Sequence, residues 1–138
     1  MSYERDKLAV QDEIHVVEQA IELWEWLAQH PGERKLQFKG SYSVEEMISQ
    51  CPFCQYCKDL DIMYYGEDNL GCESCIMKGR WPASISNQDN IKSCQAGSDK
   101  YMTAYDVWEK TGSVSSAAIL VKAFKERLDE LTIEEKTL

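Results

Sequence analysis

The residues of this sequence best suited to chemistry are its cysteines. "CPFCQYC" runs from Cys51 to Cys57 and "CESC" from Cys72 to Cys75, so five of the six cysteines fall within 25 residues, with Cys94 further on. Pairing Cys51 with Cys54 and Cys72 with Cys75 gives C-x2-C-x17-C-x2-C, a zinc-site spacing. Two cysteines three apart on a tight turn aim both sulfurs at one point. Two such turns facing each other form a tetrahedral thiolate cage for Zn2+. Four protein ligands close the coordination sphere, which marks a structural zinc rather than a catalytic one. Pro52 stiffens the first turn and favours the Cys51–Cys54 pairing. Cys54 and Cys57 share that spacing, however, and would leave Cys51 outside the cage. Cys94 could replace a ligand, or sit buried as a small hydrophobe. Buried thiols, a redox dithiol and an iron–sulfur cluster draw on the same residue type. His15 and His30 have no ligand spacing to any cysteine.

Other catalytic patterns are missing. No H-x-E precedes a P-C-x-x-C, so a zinc deaminase is not supported. No HExxH, P-loop or GxSxG occurs. The expectation is a protein without catalytic activity, with a metal- or thiol-dependent enzyme as a rival reading. Two places carry the residue types of binding hot spots. One is "KGRWP", with Lys78, Arg80 and Trp81 just after the second cysteine pair; Trp81 could instead pack over the metal site. The other is Trp26, on an otherwise acidic face of the first helix.

Those residues need a framework. Leu8 to Gln29 reads as a helix, with Val10, Ile14, Val17, Ile21, Trp24 and Ala28 on one stripe. Val16, Ala20, Leu23 and Leu27 make a second apolar face, so the helix is expected between neighbours. His15, Glu18, Glu22, Glu25 and Trp26 fill the remaining wedge. Pro31 and Gly32 stop the helix. Leu36 to Lys39 reads as a short strand. "SVEE" from Ser43 to Glu46 reads as a capping box, with a Tyr42–Met47 staple, opening a short helix over Val44 to Gln50. "DIMYY" from Asp61 to Tyr65 reads as a strand and "GEDN" as the tip of a small hairpin. Ser84 to Asn90 reads as a loop. Ser98 to Lys110 reads as a helix bearing Tyr101, Tyr105 and Trp108, ended by Gly112. Ser115 to Leu131 reads as the last helix, with Val114, Ala117, Val121, Phe124, Leu128 and Leu131 on one stripe.

The expected architecture is therefore a mainly helical α+β protein. Its long N- and C-terminal helices pair antiparallel in one domain of residues 1–138. A zinc-ribbon-like hairpin, residues 51–95, forms a metal-stabilised insert. The 43% hydrophobic content and four tryptophans supply a core. With 15 basic and 24 acidic residues the net charge is −9, which disfavours generic nucleic-acid binding. "MSYERDKLAV" shows no secretory signal, and no apolar run reaches the roughly 18–20 residues that span a bilayer. A bacterial cytoplasm, with no membrane association, is the expected location.

Three segments together resemble a group of small, poorly characterised phage and prophage proteins. "AIELWEWLAQHPGERK" (Ala20 to Lys35) carries their W-x-W-L-A-x-x-P-G-x-x-K start. The two C-x-x-C pairs follow, then Cys94 and the Tyr/Trp-bearing "KYMTAYDVW" (Lys100 to Trp108). The resemblance implies a phage origin and a metal centre, and no activity. Ile76 stands where that group has Pro, and Cys57 is additional, so the choice of ligands stays open. The combined expectation is a phage-type accessory protein with a structural zinc that binds a host or phage protein. The alternative is an acidic inhibitor of a host defence or nucleic-acid-handling system, using carboxylates in place of phosphates.

Overall fold

The computed structural model describes residues 6–47, 51–65, 76–77, 80–82 and 103–138. Within them the protein is helical: α1 (Lys7–Gln29), α2 (Pro52–Tyr65), α3 (Ala104–Thr111) and α4 (Val114–Thr137), plus a 3-10 turn over Lys35–Gln37. α1 begins where the Asp6 carboxylate accepts the Ala9 N–H at 2.9 Å, satisfying a donor that the first turn leaves open. It ends at Gln29 before Pro31, as expected. α4 begins where the Ser113 hydroxyl accepts the Ser116 N–H at 3.3 Å. Gly32 (φ 85°) and Gly112 (φ 69°) follow α1 and α3 in the left-handed region, where a side chain would be strained.

The two long helices pack on each other, and α3 packs on α4 while α2 packs on α1. Arg34, just past α1, donates to the Glu109 carbonyl at 2.8 Å, just ahead of α4. Glu25 of α1 meets Lys125 of α4 at 3.5 Å. Going back along α1 thus means going forward along α4, so the pair is antiparallel, as its matched stripes predict. Both predicted faces of α1 contribute to the core through Val10, Val16, Val17, Ala20, Leu23, Trp24 and Leu27, while Ile14, Ile21 and Ala28 are half-buried. From α4, Ala117, Leu120, Val121, Phe124 and Leu131 complete it, whereas Val114 is exposed at the helix start.

Several expectations are corrected. Asp61 to Tyr65 is not a strand: it is the end of α2. Pro52 occupies the first helical position, where its missing N–H costs nothing, and Gln55 N–H already reaches the Cys51 carbonyl at 3.1 Å. Extending a formed helix is far easier than nucleating a strand beside it. The first arm of the expected zinc-ribbon hairpin is therefore helical. Leu36 to Lys39 is not a strand either. Burial of Lys35 and half-burial of Phe38, three residues apart, curls the chain into a 3-10 turn and leaves Leu36 exposed. Ser43 does not cap Glu46. Its hydroxyl accepts the Glu45 N–H at 3.3 Å, and Val44–Met47 closes a single turn. α3 spans Ala104–Thr111, the 98–102 part of the expected helix lying outside the described residues, and α4 runs six residues beyond Leu131 through a polar end with no periodic apolar stripe. "GEDN", the Ser84–Asn90 loop and Tyr101 lie outside the described residues.

Candidate metal centre

Cys51 precedes α2 and Cys54 lies in its first turn, both half-buried, and none of Cys51, Cys54 and Cys57 is in a disulfide. The sequence spacing therefore becomes a helix N-terminus carrying two adjacent thiols. The Cys54 side chain hydrogen-bonds Cys51 and is the main cause that lowers the Cys51 thiol from 9.0 to about 6. Burial opposes this, and the Cys54 N–H, the positive charge of Lys35 and the Phe53 N–H assist it. Backbone N–H groups at the open end of a helix favour a thiolate for the same reason they favour any anion. Thiolate character is what a soft metal requires of a ligand. Cys57, one turn on, is buried at 4% exposure. The structure thus brings together Cys51 and Cys54, the first of the two pairings open in the sequence. Among the described residues no three metal-ligating side chains converge. Cys72, Cys75 and Cys94 lie outside those residues.

Lys35 had no signal in the sequence. Its Nζ is buried and donates to the Tyr105 hydroxyl at 2.6 Å, 70 residues away. A buried ammonium normally carries a large desolvation penalty. Here the phenol oxygen satisfies one N–H, and the Tyr105 ring lies 4.8 Å from the nitrogen.

The chain after Cys75 is anchored in the same core. Ile76 and Met77 are buried, and Arg127 Nε donates to the Ile76 carbonyl at 2.9 Å. Trp81 is 3% exposed, with ring centroids 5.8 Å from Phe53 and 5.7 Å from Phe124. Phe53 lies between the two thiol-bearing residues of the first pair. Trp81 is thus a core residue, not the exposed contact that "KGRWP" suggested; its Nε1 has no hydrogen-bond partner among the described residues. Arg80 is partly exposed and donates to Glu130 at 2.9 Å. Lys78 lies outside the described residues. Ile76 fills the core, and its carbonyl accepts from Arg127.

Trp26 is half-buried and packs against the edge of the core. It lines an open groove of about 800 Å³ between α1, α4 and Phe38–Lys39. The indole stacks on His30 at 4.1 Å and meets Phe38 edge-on at 5.9 Å. His30 Nδ1 in turn donates to the Trp26 carbonyl at 2.6 Å, which fixes the stack. Glu22, on the same wall, accepts from Ser41 N–H at 2.7 Å and from its hydroxyl at 2.5 Å. Those bonds hold its carboxyl below the ordinary value. Gly40 is needed here because a Cβ would press on the Phe38 ring and the Glu22 carboxylate. The Tyr42 hydroxyl donates to the Gln19 carbonyl, and burial, with the Glu22 and Cys51 charges, raises its pKa.

No protein-family model matches the chain, and no curated protein or solved structure is significantly similar to it. The class the structure defines is a mainly helical protein built on a long antiparallel helix pair. Among the described residues no helix is long and apolar enough to cross a membrane.

Proposed function

We propose that the chain is a non-catalytic accessory protein of phage type, fixed by a structural Zn2+ and built to bind a host or phage protein. The ion is held by Cys51, Cys54, Cys72 and Cys75. The observation that carries this reading is the Cys51–Cys54 pair at the start of α2, hydrogen-bonded to each other, with the Cys51 thiol lowered toward the thiolate. A second observation supports convergence of the two pairs. Cys75 is covalently joined to Ile76, which is anchored on α4, and Trp81, five residues on, packs against Phe53 beside Cys54. With α2 helical, the clamp joins a helix N-terminus to the Cys72–Cys75 segment that leads into Ile76. It does not staple a two-stranded ribbon along 52–65.

In this reading the zinc offsets the entropy of ordering a long, polar middle segment that has too few apolar residues to fold alone. Its four thiolates leave no position for substrate. The phage assignment rests on the W-x-W-L-A start together with the spacing of the cysteine pairs. The test is affinity purification of the tagged protein from bacterial lysate, before and after zinc is removed by chelation. The expected result is a defined protein partner retained by the zinc form and lost on chelation. Failure of either form to retain a protein would contradict the binding role.

A further inference from the structure

We propose that the groove between α1, α4 and Phe38–Lys39 is the docking site for a basic peptide segment of the partner, with an arginine side chain laid against Trp26. This rests on the protein-binding half of the reading above and names the chemistry that half leaves open. The groove's charges favour a cation. Glu18, Glu22, Glu25 and Asp129 line it against two ammonium groups, Lys39 and Lys125. Lys125 is already engaged by Glu25 at 3.5 Å. Glu22 is held in place by Ser41. Glu18 and Asp129 have no ion-pair partner among the described residues, so they are available to an incoming guanidinium. The chain's net charge of −9 adds a longer-range attraction of the same sign.

The shape matches the chemistry. Ile21 and Leu128 give the groove an apolar floor suited to the methylene stem of an arginine. Trp26 offers a π-surface, and a cation over an indole is worth about 0.5–2 kcal/mol depending on how dry the site is. The His30 stack and the Phe38 edge hold the indole before any partner arrives, so little side-chain freedom is lost on binding. The groove is open rather than enclosed, which suits a segment of chain crossing it better than a small molecule sealed within.

The probe is a fluorescein-labelled Gly-Ser peptide carrying several arginines, titrated into zinc-loaded protein and followed by anisotropy. A glutamate counterpart is run beside it. Zinc content, melting curve and sedimentation are recorded on the same samples. The arginine peptide is expected to bind with a Kd of about tens of micromolar, and the glutamate peptide not at all. Trp26→Ala, and separately Glu18→Gln with Asp129→Asn, should each weaken binding about tenfold. Asp59→Asn with Glu45→Gln, exposed charges outside the groove, should change it less than about twofold. Should Trp26→Ala fail to fold, the surface pair Glu18→Gln with Asp129→Asn decides the matter alone. Equal weakening by both charge pairs would reduce the effect to net charge and overturn the proposal. So would absence of binding, or a homodimer that the groove variants dissociate, which would assign the groove to a second copy. No binding by folded, zinc-loaded protein defeats the groove and leaves the zinc reading standing. Groove-dependent binding by protein found to contain no metal does the reverse.

Discussion

Lys35 and Tyr105 meet at 2.6 Å, ammonium to phenol, and tie the turn after α1 to the start of α3 beside the Cys51 thiol. The contact links stability and thiol chemistry in one residue. Lys35→Met keeps most of the buried stem and removes the charge. It removes the ammonium's hydrogen bond to the Tyr105 hydroxyl and is expected to cost about 1–3 kcal/mol in urea unfolding. Removing the positive charge should also raise the Cys51 pKa. Alkylation of Cys51 in metal-free protein, read by peptide mass spectrometry, would then need a higher pH. An unchanged alkylation profile would show that Lys35 does not act on the thiol.

Cys51 also predicts a pH dependence of the metal-free protein. Its folded pKa of about 6 lies below the ordinary 9.0, so the folded state favours the thiolate. That contribution is fully present above the unfolded value and is lost as pH falls through the folded one. Melting temperature should therefore decline between about pH 9 and pH 6, and Cys51→Ser should remove that part of the slope. Identical slopes in the two proteins would contradict the assignment.

Trp81 separates core from surface. Its ring is wedged between Phe53 and Phe124, so Trp81→Ala should cost about 3–5 kcal/mol. Chemical denaturation measures this directly. A loss below about 1 kcal/mol would mean that Trp81 does not pack as described.

These cases show what a single sequence conveys and where it stops. α1 and α4 are legible because a period of 3.6 persists from Val10 to Ala28 in the first and from Val114 to Leu131 in the second. The Cys51–Cys54 pair is legible because its geometry is local. Asp61–Tyr65 misleads because its aromatic and branched residues look strand-like alone, while the helix that absorbs them starts at Pro52. Trp81 misleads for a similar reason. Trp81 sits among basic residues but is covered by Phe53 and Phe124, far off in sequence. Trp26 lines the groove with Glu18, Glu22 and Glu25, its neighbours on the polar wedge of α1. Asp6 and Ser113 cap their helices without a periodic signal. Lys35 is beyond local reading altogether, because its partner is 70 residues distant.

The most direct measurement is metal content by elemental analysis of protein purified without added zinc, followed by melting with and without chelator. About one zinc per chain is predicted, with a marked drop in melting temperature when it is removed and a loss of metal in each of Cys51→Ser, Cys54→Ser, Cys72→Ser and Cys75→Ser. Protein that is metal-free as isolated, fully folded and unaffected by chelator would contradict the zinc clamp.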